Sequence, residues 1–448
     1  MQAAAIASHR FGYSETRLSA LQSDPRAWVL EQFKQPVAMD TKGLMDSASA
    51  LQLTREVLKA ALAPKPSDMV EPPKDDLGPM TPSRVTLRQT NMKALQRRWQ
   101  HAIETPTPVA ERWVNFWANH FCVASTKGAM IALVWPHEYE AIRPHAMGSF
   151  KDLLRAAIVH PAMLIYLDNA QSIGPQSRAG LLRGKGLNEN LARELLELHT
   201  LGVNSGYTQQ DVTQTAQLLT GWTVNAQTGG KAAFVPALHQ PGPKTILGRH
   251  YAEGPQALDA LLDDLSQHPA CANFLATKLV RHFVSDDPPV DLVEWVAGRF
   301  RDSRGDLTTV ATALFGHDLA WSAANRSKLK RPEELVLSAH RMLNIPVTSI
   351  ERTVVELKSM GQAIGQAPSP QGWPDRAEDW LSPDALKKRV QWADRFGELN
   401  RHAADARALA RRAWGEDLSE SSRTQIDNAD SSAQALALAL ASPEFQRR

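Results

Sequence analysis

Apolar residues along the chain recur mostly at helical spacing, as in Leu51, Val57, Leu58 and Leu62, or Leu261, Leu262 and Leu265, the period of an amphipathic helix. Strand-like alternation is scarce. It is expected only between Trp222 and Gly248, where Thr223, Val224, Ala233, Phe234, Val235, Thr245 and Ile246 stand among glycines and prolines and suit a small β-hairpin. The expected fold class is therefore mainly α, a multi-helical globular protein with that hairpin near 222–248. Six prolines between Pro64 and Pro82 remove backbone donors and block a helix. The chain then divides into an N-terminal helical segment (1–63), a Pro-rich linker or strap (64–82), a central helical body (83–360), a Pro-containing connection (361–384) and a C-terminal helical segment (385–448). His160-Pro161-Ala162 and His268-Pro269-Ala270 look alike and read as helix starts with Pro in the first turn.

The stretch from Asn188 to Trp222 predicts a helical hairpin. Asn188 can cap a helix that runs through Leu201 and stops at Gly202, and Thr208 with Asp211 has capping-box spacing ahead of a second helix ending at Gly221. On the first helix Leu187, Leu191, Leu195 and Leu198 form a stripe to bury, Asn190, Glu194 and Glu197 share one face, Glu189, Arg193 and Thr200 the next, and His199 lies at the margin of the stripe. Two carboxylates at i and i+3 repel, so a buried pair demands a cation or a shared proton. Glu194, Glu197 and His199 are thus candidate catalytic groups, with Arg193 and Asn190 as substrate-binding candidates. The plain alternative is a solvated face on which Glu189 pairs with Arg193.

Upstream, Trp113, Phe116, Trp117 and Phe121 surround His120 within about two helical turns, which reads as an aromatic core or a pocket. His145 follows Glu138 and Ile142 at helical spacing, and the turn His239-Gln240-Pro241-Gly242-Pro243-Lys244 is built to present His239 beside Lys244, a further substrate-binding candidate, or to sit in solvent. Imidazole and carboxylate suit a divalent transition metal, so His120, His145 and His239 are the candidate ligands. No phosphate-binding loop, dinucleotide fingerprint or nucleophile elbow occurs.

Composition narrows the classes. The 448 residues are 43% hydrophobic and 22% charged, a globular balance. A net charge of +2 gives no global field for nucleic acid, and the Lys387 to Arg412 stretch, with eight basic residues, reads as a solvated face. Cys122 and Cys271 form no CxxC pair, which rules out a thiolate zinc site. No apolar run is long enough to span a bilayer. The start has no export signal, so a cytoplasmic protein is expected, with an exported one already trimmed beside Ala3 to Ala7 as the alternative.

Nearly the whole chain resembles the bacterial family catalogued as domain of unknown function 1800. The resemblance rests on His9-Arg10-Phe11-Gly12, Trp117 to Phe121, Arg143 to Phe150, His160-Pro161-Ala162-Met163, Tyr166 to Asn169, Asn188 to Gly202, Tyr207 to Trp222, His268-Pro269-Ala270, Lys278 to Asp286, Gly372-Trp373-Pro374 and Ser442-Pro443-Glu444-Phe445. It implies a protein often exported and paired with a partner from an uncharacterised family, number 1501, similar to alkaline phosphatases and sulfatases. It implies no chemistry. The chain departs from the pattern in lacking an export signal and in reading His239-Gln240 where His-Asp is usual, so position 240 cannot serve as an acid. Two functions are expected in competition. One is an enzyme with a carboxylate/histidine pocket and metal-assisted or acid/base chemistry; the other is a non-catalytic scaffold that binds a partner protein or a surface glycan.

Overall fold

The computed structural model describes residues 3–15, 21, 23–62, 74–75, 78–79, 82–126, 128–183, 186–203, 205–224, 228–324 and 328–448. It is mainly α, as the periodicity predicts. Much of the 64–82 strap lies outside the described residues; within it Lys74–Asp75 pairs antiparallel with Gly78–Pro79. The hairpin expected near 222–248 is two separate ribbons. Trp222–Thr223 pairs with Ala233–Phe234, and Lys244–Ile246 with Arg249–Tyr251. The second turns through Leu247 and Gly248, both at positive φ, the backbone of a two-residue primed turn whose twist suits a hairpin.

Two apolar cores organise the helices. The first centres on the Pro108–His120 helix, where Trp113, Phe116 and Trp117 pack edge and face against Phe33, Phe150, Phe283 and Phe315. The aromatic run is thus core, and the indole of Trp113 finds the Ala146 carbonyl at 2.8 Å. The second core gathers Trp99, the Pro332–Leu343 helix, Trp392, Phe396, Trp414, Leu436 and Phe445. Its tightest crossing sets Pro383–Leu399 on Ser432–Ala441 at Gly397, where a Cβ would lie 2.4 Å from the Ala433 carbonyl. Any side chain at 397 would force these helices apart.

Local signals behave as their chemistry dictates. His160 and His268 each precede a Pro and cap the helix through the ring, Nδ1 accepting from the backbone N–H of Ala162 and Ala270. The Thr208 and Asp211 capping box forms in both directions. Asn188 Oδ1 accepts from the Asn190 N–H at 2.9 Å, and Gly202 takes φ +86 where the first hairpin helix stops.

That helix is α only from Asn190 to Glu194; Leu195–Thr200 is π, with the Leu201 N–H reaching back to Leu196. Two more π segments, Ile6–Phe11 and His137–Ile142, occur among the described residues. Such segments are rare and gather at functional sites. Each delivers a buried histidine: His9, His137 and His199.

Candidate functional site

A polar seam separates the two cores. Arg98 reaches Glu138 at 2.7 Å, Glu333, and Asn115 at 2.7 Å; Arg143 forks onto Glu111 at 2.6 and 2.9 Å and onto Glu138 at 2.9 Å. Glu334 takes Arg112, Arg331 and Arg448 at 3.4 to 3.6 Å. Burial alone would raise the Glu111 carboxyl, but the charge and hydrogen bonds of Arg143, then His101, hold it well below the usual carboxylate range. Buried carboxylates and guanidiniums in this number are stable because they are paired with one another.

The seam opens into two cavities that share Asn119 and Trp373 as walls. The narrower, about 90 Å³, is lined by Arg98, Asn115, His137, Glu138, Arg331 and Glu333 among others. The wider, about 430 Å³, opens between the Pro269–Phe283 helix and the loop 368–376, with Lys278, Arg281, Asp375 and Arg376 on its walls. The loop is held rigidly. Asn119 exchanges two hydrogen bonds with the Trp373 backbone at 2.8 and 3.0 Å, and Gly372, at φ +84, passes so close that a Cβ would lie 2.4 Å from the Asn119 carbonyl. Asp375 meets His282 Nδ1 at 2.7 Å, and Asp286 accepts from Lys328 at 2.6 Å and from the Ala377 N–H at 2.8 Å. Burial opposes ionisation of Asp375, yet His282, Arg331 and Lys328 keep its carboxyl well below the ordinary range.

Two cations on this cleft have no such partner. Among the described residues Lys278 makes no hydrogen bond or ion pair, and its Nζ lies 5.5 Å from the centroid of the Phe274 ring. Burial, opposed by Asp375 and reinforced by Arg281, lowers its ammonium to about 8. Arg281, one turn on, likewise has no hydrogen bond or ion pair among the described residues, and its Nε is buried without an acceptor. At i and i+3 the two share one helix face. Behind them lie His120 and His199, with rings 5.9 Å apart and His120 Nε2 donating to the His199 carbonyl at 3.1 Å. Burial, then the nearby charge of Lys278, keeps both imidazoles neutral, His199 at about 3.

The residues singled out from sequence distribute unevenly around this cleft. His120 and His199 come together behind it, but His199 is fully buried and not marginal, because the π turn resets the 100° stepping beyond Glu194. Glu194 and Glu197 are half-buried and line neither cavity. Burial and then Glu197 raise the Glu194 carboxyl, while Glu197 accepts the Tyr207 hydroxyl at 3.0 Å. Arg193 spans to Glu189 at 3.4 Å and Gln209 at 2.9 Å, and Thr213 donates to Glu189 at 2.7 Å, so this set ties the hairpin together. Asn190 is exposed.

The 239–244 turn does present His239 and Lys244 to each other, but inward. Lys244 is 2% exposed and donates to the Gln240 and Gly242 carbonyls, with His239 Nε2 at 3.5 Å. His239 Nδ1 donates to the Thr220 carbonyl at 2.7 Å. Gln240 exchanges two hydrogen bonds with Gln176 at 3.0 Å, a linking task that needs an amide and no acid. His145 is half-buried, and its neighbour Arg143 enters the seam instead. His120, His145 and His239 therefore do not form a ligand set; no group of three or more His, Cys, Asp or Glu side chains among the described residues is placed to hold a metal ion. The basic 387–412 stretch is solvated in the main, but Arg389 is buried and binds the Lys330 carbonyl at 2.9 Å.

A neutral amide at 194 removes a raised carboxyl and its repulsion with Glu197. Because the folded carboxyl titrates above its unfolded value, its contribution is present at low pH and lost as pH rises through the folded value. Glu194→Gln is therefore expected to fold and, at pH 7, to match or exceed the parent by a few tenths of a kcal/mol; urea unfolding at pH 5 and 7 measures this, and a large loss would show that the carboxylate has an essential partner.

Fold and site together define a helical protein with a cation-walled cleft set in a buried ion-pair seam. The chain belongs to the family described as protein of unknown function, DUF1800, whose model matches residues 6–447. No curated protein and no solved structure matches the chain. No helix among the described residues is long and apolar enough to cross a membrane.

Proposed function

We propose that this protein is an acid/base enzyme that takes an anionic substrate into the cleft between Lys278 and the 368–376 loop. The observation that carries this reading is the pair Lys278 and Arg281, two neighbouring cations on a concave wall that, among the described residues, have no hydrogen-bonded or ionic partner, beside a seam in which Arg98, Arg143 and Arg331 are paired with carboxylates. Both side chains are half-buried on the cavity wall, where a bound anion can complete their hydrogen bonding. Arg281, with the exposed Arg376 at the rim, holds the anionic group; Lys278, whose ammonium burial lowers to about 8, gives or takes the proton. The paired Asp375 and His282 fix the loop and supply no free base. No step is drawn through a metal, since the candidate ligands stand apart.

Calorimetric titration with inorganic phosphate, sulfate and succinate tests the reading. At least one is expected to bind, and Lys278→Met and Arg281→Gln are each expected to weaken it about tenfold or more, the value of one lost charge-assisted contact, with helicity unchanged. Equal affinities in parent and variants would overturn it.

A second reading, the scaffold for a partner protein such as one of family 1501 or for a glycan, is favoured by Leu181 and Leu182, which are 75% and 81% exposed on a short helix. Co-purification of a co-expressed partner that is lost in Leu181→Ser/Leu182→Ser would support it. For location we carry the cytoplasmic reading, supported by two buried thiols that are not disulfide-bonded.

A further inference from the structure

The cleft's two unmatched cations differ in chemistry, and the difference narrows the substrate. Arg281 is a permanent, planar donor suited to a carboxylate. Lys278, three residues earlier on the same face, is the only nucleophile type of the pair; its Nζ lies 5.5 Å from the centroid of the Phe274 ring, and its charge is felt by the neutral imidazoles of His120 and His199. Asp375 is the acid that faces it, and that carboxylate is already bonded to His282. Cys122, also near, keeps its proton because burial raises the thiol to about 12. An amine that makes no hydrogen bond among the described residues, beside a guanidinium on the wall of a cavity of about 430 Å³, matches a small molecule that carries a carbonyl next to a carboxylate.

Resting on the reading of the cleft as an anion-binding active site, we propose that Lys278 forms an imine with the carbonyl carbon of a small oxo acid whose carboxylate sits on Arg281. The neutral amine of Lys278 adds to the carbonyl carbon, making the C–N bond and breaking the C=O π bond, and one amine proton passes to the oxygen to give a carbinolamine. A second proton, taken from solvent, lets that oxygen leave as water, which breaks the C–O bond and leaves the protonated imine; addition of water and return of the proton to solvent reverse the sequence. Burial of Lys278 assists the first step, since it brings the ammonium to about 8 and leaves a substantial neutral fraction near pH 7.5. The imine then accepts the electron pair of a bond on the carbon adjacent to it, on the side away from the bound carboxylate, so that a proton, or carbon dioxide from a second carboxylate there, leaves more readily.

The test is reductive trapping on the full chain. Protein at pH 7.5 is incubated with glyoxylate or pyruvate and sodium cyanoborohydride, which reduces the C=N bond to a stable secondary amine, and peptides are mapped by mass spectrometry. One dominant adduct on Lys278 is expected, absent in Lys278→Arg, reduced about tenfold or more in Arg281→Gln, and not reproduced selectively by propanal, which lacks a carboxylate. If the oxo acids protect Lys278 from acetic anhydride yet leave no adduct, the imine is refuted and the anion-binding cleft stands. If there is neither protection nor adduct, both fail. Labelling of Lys278 by propanal as readily as by glyoxylate would overturn the oxo-acid assignment.

Discussion

Lowering the pH from about 6.5 towards 4 is expected to unfold the protein cooperatively, with a midpoint near pH 5. Seven buried histidines have their pKa lowered by the fold, chiefly through burial, and five of them most strongly: His9 and His199 to about 3, His340 to about 4, and His120 and His137 well below their ordinary value. Unfolded, each takes a proton near pH 6.5. Between the unfolded and folded values the unfolded chain binds more protons, so stability rises with pH across that window and is lost as pH falls through it. Each such histidine costs roughly 1.4 kcal/mol per pH unit, and five together exhaust an ordinary folding free energy of about 5–15 kcal/mol within about one or two units below 6.5. Circular dichroism against pH checks this; full helicity retained at pH 4 would show that the rings are protonated in the fold. Glu111 and Asp375, held below the ordinary carboxylate range, add to the loss only at lower pH.

Arg143→Met is expected to be among the most damaging single substitutions, at about 3–5 kcal/mol, the cost of removing one partner from a buried ion pair. Arg143 makes two hydrogen bonds to Glu111 and one to Glu138, and the side chains of these acids are 1% and 7% exposed. Without it, Glu138 still has Arg98, but among the described residues Glu111 keeps only His101 at 3.3 Å. The Glu111 charge would then stand buried with one weak partner. The double variant Arg143→Met/Glu111→Gln removes that charge too and is expected to recover a good part of the loss. Urea midpoints of the single and double variants measure both effects. A single-variant loss under about 1 kcal/mol, the scale of an exposed pair, would mean that water reaches the seam.

Local grammar was legible because its physics is local. Helical spacing gave the fold class, Thr208 and Asp211 gave a helix start, the His-Pro-Ala triplets gave two more, and the aromatic run at 113–121 was readable as core. The 190–200 helix was readable as a buried stripe, but not the π turn that carries His199 inward, since nothing in the spacing of Leu195 to Thr200 requires an i→i−5 bond. The inward direction of the His239–Lys244 turn was hidden for a related reason. Proline and glycine announce a turn, whereas its inward direction depends on Thr220 and Gly254, contributed from elsewhere.

The cleft escaped for a more general reason. Arg98 and Glu333 lie 235 residues apart, and Asn119 holds Trp373 across 254, separations at which helical periodicity says nothing. Yet Lys278 to Asp286 and Gly372-Trp373-Pro374 were both among the motifs of the family resemblance. What those motifs lacked was a chemical pattern of their own, because Lys278 and Arg281 look like an ordinary solvated helix face until the rest of the fold closes over them. The matched seam supplies the contrast that makes the unmatched pair informative.

The most direct test of the account is the acetylation of Lys278 by trace acetic anhydride, followed by peptide mass spectrometry across pH 6 to 11 with and without inorganic phosphate. The account predicts half-maximal reactivity near pH 8 and, with phosphate bound, a slowing of about tenfold together with a shift to higher pH. Reactivity that rises only towards the ordinary lysine value of about 10.4 and ignores phosphate and other small oxyanions would contradict it, and would leave the seam as a structural network alone.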